Sequence, residues 1–325
     1  MMVKAIVMEA AGGPEVLRSQ DIDLPPPGPG EVRLRHSAVG VNFVDIYHRT
    51  GLYPLPSLPA VLGVEGAGRV EAMGEGVTGF RAGDRVAYAG LPVGAYVEVR
   101  NIPASRLVRL PDTIPDETAA AVMLRGFTAH MLLYRVVPVR PGQHVLIHAA
   151  AGGLGLLLTQ WAKRLGAVTI GTVGSEEKAV MARDHGLDHA ILYHRQDFVT
   201  AVRDLTGGEG VDAAFDGIGG DTLARTLDCV RPFGVVASIG QAGGAIPPLA
   251  VAELGPRRSL SLARPSVFAY AADPESYAAG CAALFAALAD GLTVSIGARY
   301  PLAEAASAHD DMGAGRTTGS LLLIP

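Results

Sequence analysis

The chain has 325 residues, a formal net charge of -5, 49% hydrophobic and 18% charged residues, and two cysteines, Cys229 and Cys281. That length supports a sizeable core in one large domain or two, and the mixture is globular, not disordered. It argues against a disulfide scaffold or a multi-cysteine metal site, and the lack of a basic tract argues against nucleic acid as a partner.

The opening MMVKAIVMEAAGGPEV carries a charge and a turn too early for a secretory signal. Glycine or charge interrupts each apolar stretch before the ~18 residues of a membrane span. The expectation is a soluble, cytoplasmic protein with no membrane partner. Residues 1–125 read as short strands, VKAIVMEA, EVRLRHSAVG and GRVEAMG, punctuated by the turn signals PPPGPGE and GFRAGDRV. They predict an irregular, partly antiparallel domain. A second tract, 126–265, begins in the helix-like AVMLRGFTAHMLLYRV. Strands are then expected at 144–148, 168–173 and 189–192, with helices at 154–165, 176–185 and 197–205. VDAAFDGIG, DTLARTLDCV and GVVASIG continue the alternation, which predicts an α/β domain with a parallel sheet covered on both faces. Residues 266–325 hold the helix SYAAGCAALFAALADG and the strand SLLLIP. They are too few for a separate domain and are expected to complete the first.

In HVLIHAAAGGLGLLLTQWAKRLGA a strand hands over to a helix through glycines. Ala149, Gly152 and Gly155 give A-x-x-G-x-x-G, where a dinucleotide fingerprint has glycine first. No Gly-Lys-Ser/Thr follows, so a P-loop is excluded. A plain tight turn is the blander reading. The strand before, the helix after and the surrounding βαβ pattern favour a nucleotide, its pyrophosphate at the helix start. The next strand ends GTVGSEEKAVMAR. An NAD site commonly places an acid there for the ribose hydroxyls. Here Gly174 and Ser175 fill the strand end and Lys178 follows, which suits a 2'-phosphate and predicts NADPH. Lys178 is otherwise an ordinary solvated lysine, and Glu176 and Glu177 favour the helix dipole while facing water.

HAAAGGLG, with VGVNFVDIYHRTGLYP and LGVEGAGRVEAMG upstream and GRTTGSLLLIP at the end, resembles the zinc-independent NADPH:quinone oxidoreductases. These are zeta-crystallin-like members of the medium-chain dehydrogenase/reductase superfamily, and the likeness covers essentially the whole chain. The resemblance implies a GroES-like, mainly β catalytic domain and a Rossmann domain, with the active cleft between them. It implies that Ala151, Gly152, Gly153, Leu154 and Gly155 receive the pyrophosphate. Gly174, Ser175, Lys178, Tyr193 and Arg316 would surround the adenosine phosphate, although Arg316 alone reads as a surface arginine. Thr128 matches a cofactor-contacting threonine, and Phe43, Ile239, Gly240 and Phe268 would line the cofactor channel.

Zinc-dependent relatives use an early cysteine and a G-H-E histidine. Asn42 stands near the first and Val64 replaces the second, and the cysteine-rich zinc lobe is replaced by AYAGLPVGAYVEVR. His48 and Glu65 make a poor metal pair, since a catalytic zinc takes about three protein ligands. The resemblance therefore implies metal-free hydride transfer to quinones or α,β-unsaturated carbonyls, with Asn42, Tyr47 and Tyr53 as the polar lining that meets the developing oxyanion. Asp45 reads as a partnered structural carboxylate and His48 as a core or turn histidine. An enoyl-thioester reductase and a non-catalytic NADPH-binding protein are the competing readings. Residues 255–268, GPRRSLSLARPSVF, read as a strand, which the resemblance pairs across a two-fold axis in a homodimer; an internal strand is the alternative.

Overall fold

Along Glu31–Val41 the side chains of Val32, Leu34, His36 and Ala38 are buried in alternation, and burial then becomes continuous to Val41. The segment starts as a half-exposed strand and ends inside a core. The computed structural model describes residues 1–325. In chain order come β1 (Met2–Met8), β2 (Arg18–Asp23), β3 (Glu31–Val41), α1 (Phe43–Thr50), β4 (Ala60–Val61), β5 (Glu65–Met73), β6 (Arg85–Ala89), β7 (Val99–Pro103), β8 (Val108–Arg109) and α2 (Asp116–His130). A π-helical turn, Met131–Val136, continues α2. Then follow β9 (His144–Ile147), α3 (Gly153–Arg164), β10 (Val168–Val173), α4 (Glu176–Asp184), β11 (His189–Leu192), α5 (Phe198–Leu205), β12 (Val211–Asp216), α6 (Gly220–Thr226), β13 (Val230–Ser238) and β14 (Ser261–Ala263). The chain closes with α7 (Val267–Ala272), α8 (Pro274–Ala289), β15 (Ile296–Pro301), α9 (Ala305–Gly313) and β16 (Ser320–Ile324).

These elements fall into two compact units, one of Met1–Phe127 with Ala271–Pro325, the other of Thr128–Tyr270. The first holds a three-stranded sheet, β2-β1-β4, and a larger sheet ordered β15-β16-β3-β5-β6-β8, with β7 also on β3. β3 is antiparallel to β5, β7 and β16, whereas β15 and β16 are parallel. Its core packs Leu34, Val41, Leu62, Tyr88, Tyr96, Leu321 and Leu323 together.

The second unit is a six-stranded parallel sheet ordered β11-β10-β9-β12-β13-β14. Its order reverses between β9 and β12, the doubly wound arrangement in which a ligand sits at the carboxyl ends of the strands beside the reversal. Leu146, Ile170, Ile191, Ala214 and Val236 form its core with Phe198 and Val202 of α5. The segment 255–268 is only partly a strand. Ser261–Ala263 pairs with β13, the residues before it turn, and Val267 opens a helix. Two prolines and a run of arginine and serine leave too few β-formers for a longer pairing.

Candidate active site and cofactor site

The glycine turn lies where β9 ends. Ala149 takes a left-handed backbone, φ 51°, and its carbonyl accepts the Gly152 N–H at 2.9 Å. Gly152 caps α3 in extended conformation. A Cβ on Gly155 would stand 2.3 Å from the Ala149 carbonyl oxygen, so only glycine lets α3 start this close to the strand. Ala151 and Gly155 are buried, while Gly152, Gly153 and Leu154 are half-buried. The N–H groups at the start of α3 face no helical carbonyl and suit an anion. Beneath the turn, His148 bonds Thr172 at 2.9 Å and Thr226 at 2.9 Å. Burial lowers its pKa, so it works as a neutral strut between β10 and α6.

Gly174, Ser175, Lys178 and Tyr193 come together at the end of β10. A Cβ on Gly174 would lie 3.0 Å from the Tyr193 hydroxyl. Ser175 caps α4, its hydroxyl oxygen accepting the Lys178 backbone N–H at 3.3 Å. Glu176 pairs with Arg195 at 2.6 Å. Glu177 is exposed at the start of α4, and a hydrogen bond to Ser175 holds its pKa below the ordinary range. Ile239 follows β13 and donates its N–H to the Asp216 carbonyl at 2.8 Å. The next residue, Gly240, is buried against Gly217. Phe268 is half-buried on α7, and half-buried Thr128 lies on α2. Arg316 belongs to the other unit, where it is exposed and ion-paired with Asp310 at 2.7 Å and Asp311 at 2.8 Å.

In the first unit, Asn42 links β3 to α1. It is buried, and its Nδ2 donates to Glu65 Oε1 at 2.6 Å. Glu65 is fully buried at the start of β5. Its Oε2 accepts the Leu124 N–H at 2.7 Å and its Oε1 accepts from Arg125 at 3.2 Å. Burial raises the Glu65 pKa, with Arg125, the Leu124 N–H and Asn42 opposing. Arg125 also donates to the Val41 carbonyl at 2.6 Å, beside Asn42. Tyr47 and Tyr53 meet edge to face, ring centres 5.2 Å apart, and the Tyr53 N–H donates to the Tyr47 carbonyl at 3.1 Å. Phe43 packs 6.3 Å from Tyr47 and is 36% exposed, so an aromatic edge stays open beside the buried ring.

Asp45 is completely buried. Its Oδ2 accepts the Asn42 N–H at 2.8 Å and the Tyr96 hydroxyl at 3.0 Å, and its Oδ1 has no protein partner. Tyr96 continues to His309 Nε2 at 2.8 Å. Burial drives Asp45 up to about 7, opposed by the Asn42 N–H, Tyr96 and Arg125 and reinforced by Glu65. It drives His309 down to about 3, aided by Arg49. Because its folded pKa is raised, Asp45 contributes stability that is complete below the ordinary carboxylate value and is lost as pH rises through about 7. Asp45→Asn retains an oxygen acceptor and removes that loss. Thermal melts should show the variant gaining on the parent between pH 5 and pH 8. A difference in Tm that does not change with pH would mean the carboxyl is not shifted.

A hollow of about 700 Å³ elsewhere on this unit is lined by Arg69, Phe80, Arg81, Asp84, Arg85 and Arg109. Its arginines are bonded to Asp84, Asp116 and the Gly83 carbonyl.

Two family models match, an alcohol dehydrogenase GroES-like domain over residues 28–112 and a zinc-binding dehydrogenase over 153–296. A quinone oxidoreductase of Pseudomonas aeruginosa is 47% identical over 325 residues, covering 100% of both chains. A 2-haloacrylate reductase of a Burkholderia species is 46% identical, covering 100% of this chain and 99% of its own. The crystal structure of Escherichia coli quinone oxidoreductase complexed with NADPH superposes with a TM-score of 0.96 at 41% identity, covering 99% of this chain and 100% of its own.

The chain belongs to the zinc-independent quinone oxidoreductases. Within that family of the medium-chain dehydrogenase/reductase superfamily, the first unit is the GroES-like domain and the second the Rossmann domain. The zinc-binding name of one matched model does not fit this donor set. Asn42 stands near the position of one ligand and Val64 in place of another, and Glu65 is already bonded by three N–H donors. No group of three His, Cys, Asp or Glu side chains is placed to hold a metal.

For this member of the quinone oxidoreductases, sequence reasoning singled out Asn42 but missed Arg125, which bonds Glu65, Tyr96, which bonds Asp45, and His309, which bonds Tyr96. The signal for Arg125 is a charge inside the apolar run AVMLRGF, and for Glu65 one inside GVEGAG. A buried charge needs a partner, yet neither segment names the other.

Proposed function

We propose that the protein is an NADPH-dependent reductase of quinones and of electron-poor carbon–carbon double bonds, acting by hydride transfer without a metal. The observation that carries this reading is the end of β10. Gly174 and Ser175 occupy the place of a ribose-binding acid, with Tyr193 against Gly174 and Lys178 on the following turn, beside a glycine turn shaped for a pyrophosphate. The NADPH complex of the E. coli quinone oxidoreductase supports it. Double-bond reduction gains support from the 46% identical 2-haloacrylate reductase.

The residues present fit that cofactor. Gly152 and Gly153 would keep side chains away from the pyrophosphate, Gly155 lets α3 start close to β9, and Ser175, Lys178 and Tyr193 would hold the 2'-phosphate. Bound NADPH supplies the hydride. The substrate gains that hydride, two electrons in all, and a proton from solvent completes the hydroquinone or saturated carbonyl. Asn42 presents an amide hydrogen to the oxygen on which charge develops. Tyr47 and Tyr53 shape an apolar slot with polar tips for a flat ring.

The purified protein should oxidise NADPH when benzoquinones, naphthoquinones, enals or enones are added, and chelation should leave the rate unchanged. Deuterium from the nicotinamide recovered on a saturated carbon would assign double-bond reduction. Tight NADPH binding with no turnover across the panel would instead mark a non-catalytic NADPH-binding protein.

We also propose a cytoplasmic homodimer joined through the 255–268 region. Strand β14 pairs with β13 on one side and forms the edge of its sheet on the other, and an edge is closed by a second copy across a two-fold axis. No helix is long and apolar enough to cross a membrane. Light scattering should give twice the chain mass at micromolar concentration, and Leu262→Pro should shift the protein toward monomer. A monomeric parent would rule the dimer out.

A further inference from the structure

We propose that Glu65, clamped by Arg125, is a positioning residue that fixes which edge of the Asn42 amide faces the substrate. The inference rests on the reading of Asn42 as the group that meets the developing oxyanion. An asparagine amide has two chemically opposite ends, an NH2 that donates and an oxygen that accepts. Rotation by half a turn would offer an oxyanion the repelling end. Some neighbour must therefore distinguish the two, and Glu65 does. Its carboxylate accepts from Asn42 Nδ2 at 2.6 Å. In the flipped amide, two acceptor oxygens would confront each other at that distance, both buried, where neither can turn to water. One amide hydrogen is held by Glu65, and the other is the one proposed to meet the substrate oxygen.

The carboxylate is itself fixed. All its protein partners are N–H donors: Leu124 on Oε2 at 2.7 Å, and Arg125 with Asn42 on Oε1. A protonated carboxyl would have to aim its O–H at one of them. Arg125 is anchored in turn to the Val41 carbonyl at 2.6 Å and the Ala121 carbonyl at 3.2 Å. The clamp thus spans α2, β5 and the end of β3, and it bonds the Asn42 side chain directly. A buried ion pair adds little net stability, whereas here its geometry determines an orientation.

The test uses the intact protein and four variants: Glu65→Gln, Glu65→Asp, Asn42→Ala and Asn42→Ala with Glu65→Gln. Glu65→Asp keeps the charge near Arg125 but withdraws it from Asn42 by one methylene. Both single Glu65 variants should lower kcat with quinone by about tenfold or more, with NADPH affinity within about twofold of the parent. In the Asn42→Ala background, Glu65→Gln should change kcat by less than about twofold, because nothing remains to be oriented. Should Glu65→Gln fail to fold, Glu65→Asp and Asn42→Ala decide the matter. Full activity in Glu65→Asp, or the same loss from Glu65→Gln with and without Asn42, overturns the proposal. If Asn42→Ala lowers kcat in those cases, the reading of Asn42 survives; an unchanged kcat in Asn42→Ala overturns both.

Discussion

Lys178→Glu is expected to weaken NADPH binding by roughly 10- to 150-fold while leaving NADH within about threefold, since a hydrogen bond to a charged group is worth about 1.5–3 kcal/mol. The two nucleotides differ only by the phosphate on the adenosine ribose, so an effect confined to one of them locates that phosphate. Lys178 lies in the first turn of α4, its backbone N–H bonded to the capping Ser175, and Tyr193 lies against Gly174 at the neighbouring strand end. A carboxylate in place of the ammonium would also repel the phosphate. Calorimetric titration of both nucleotides into parent and variant makes the comparison. Equal losses for NADPH and NADH, at unchanged Tm, would remove Lys178 from the phosphate site.

Asn42→Ala should lower kcat by about 10²–10³, the usual cost of losing one donor to a developing oxyanion. NADPH affinity should stay close to the parent's. Tyr47→Phe and Tyr53→Phe separate two roles. If a hydroxyl meets the oxyanion, its loss appears in kcat; if the ring only shapes the slot, the phenylalanine is nearly silent and Tyr→Ala raises KM. Steady-state kinetics with a benzoquinone, paired with NADPH titration, resolves these cases. An Asn42→Ala enzyme with the parent's kcat would refute the oxyanion role.

What the sequence made legible was local. The turn from β9 to α3 could be read because a strand, three glycines and a helix follow one another within a dozen or so residues, and the loss of zinc ligands because Asn42 and Val64 stand inside recognisable motifs. Groups that meet only through the fold stayed hidden. Glu65 and Arg125 come from different elements, and in sequence Glu65 is as readily a half-formed metal ligand as a clamp. Tyr96 and His309 are separated by most of the chain, yet their rings lie edge to face with centres 5.6 Å apart. The short β14 was overestimated because Leu260, Leu262 and Val267 mimic a strand, while pairing stops at Ala263. Sequence periodicity carries burial, not partners.

The position of β16 has a consequence for synthesis. It lies between β15 and β3, with Leu321 opposite Val41, the residue before Asn42. Leu321, Leu322 and Leu323 are fully buried. When a ribosome has made residues through Tyr270, the Rossmann unit has all six of its strands, while the strand that leads to Asn42 still lacks its neighbour. The nascent chain can therefore acquire its nucleotide fold before the sheet that carries Asn42 is complete, and Ser320–Ile324 closes that sheet beside Val41.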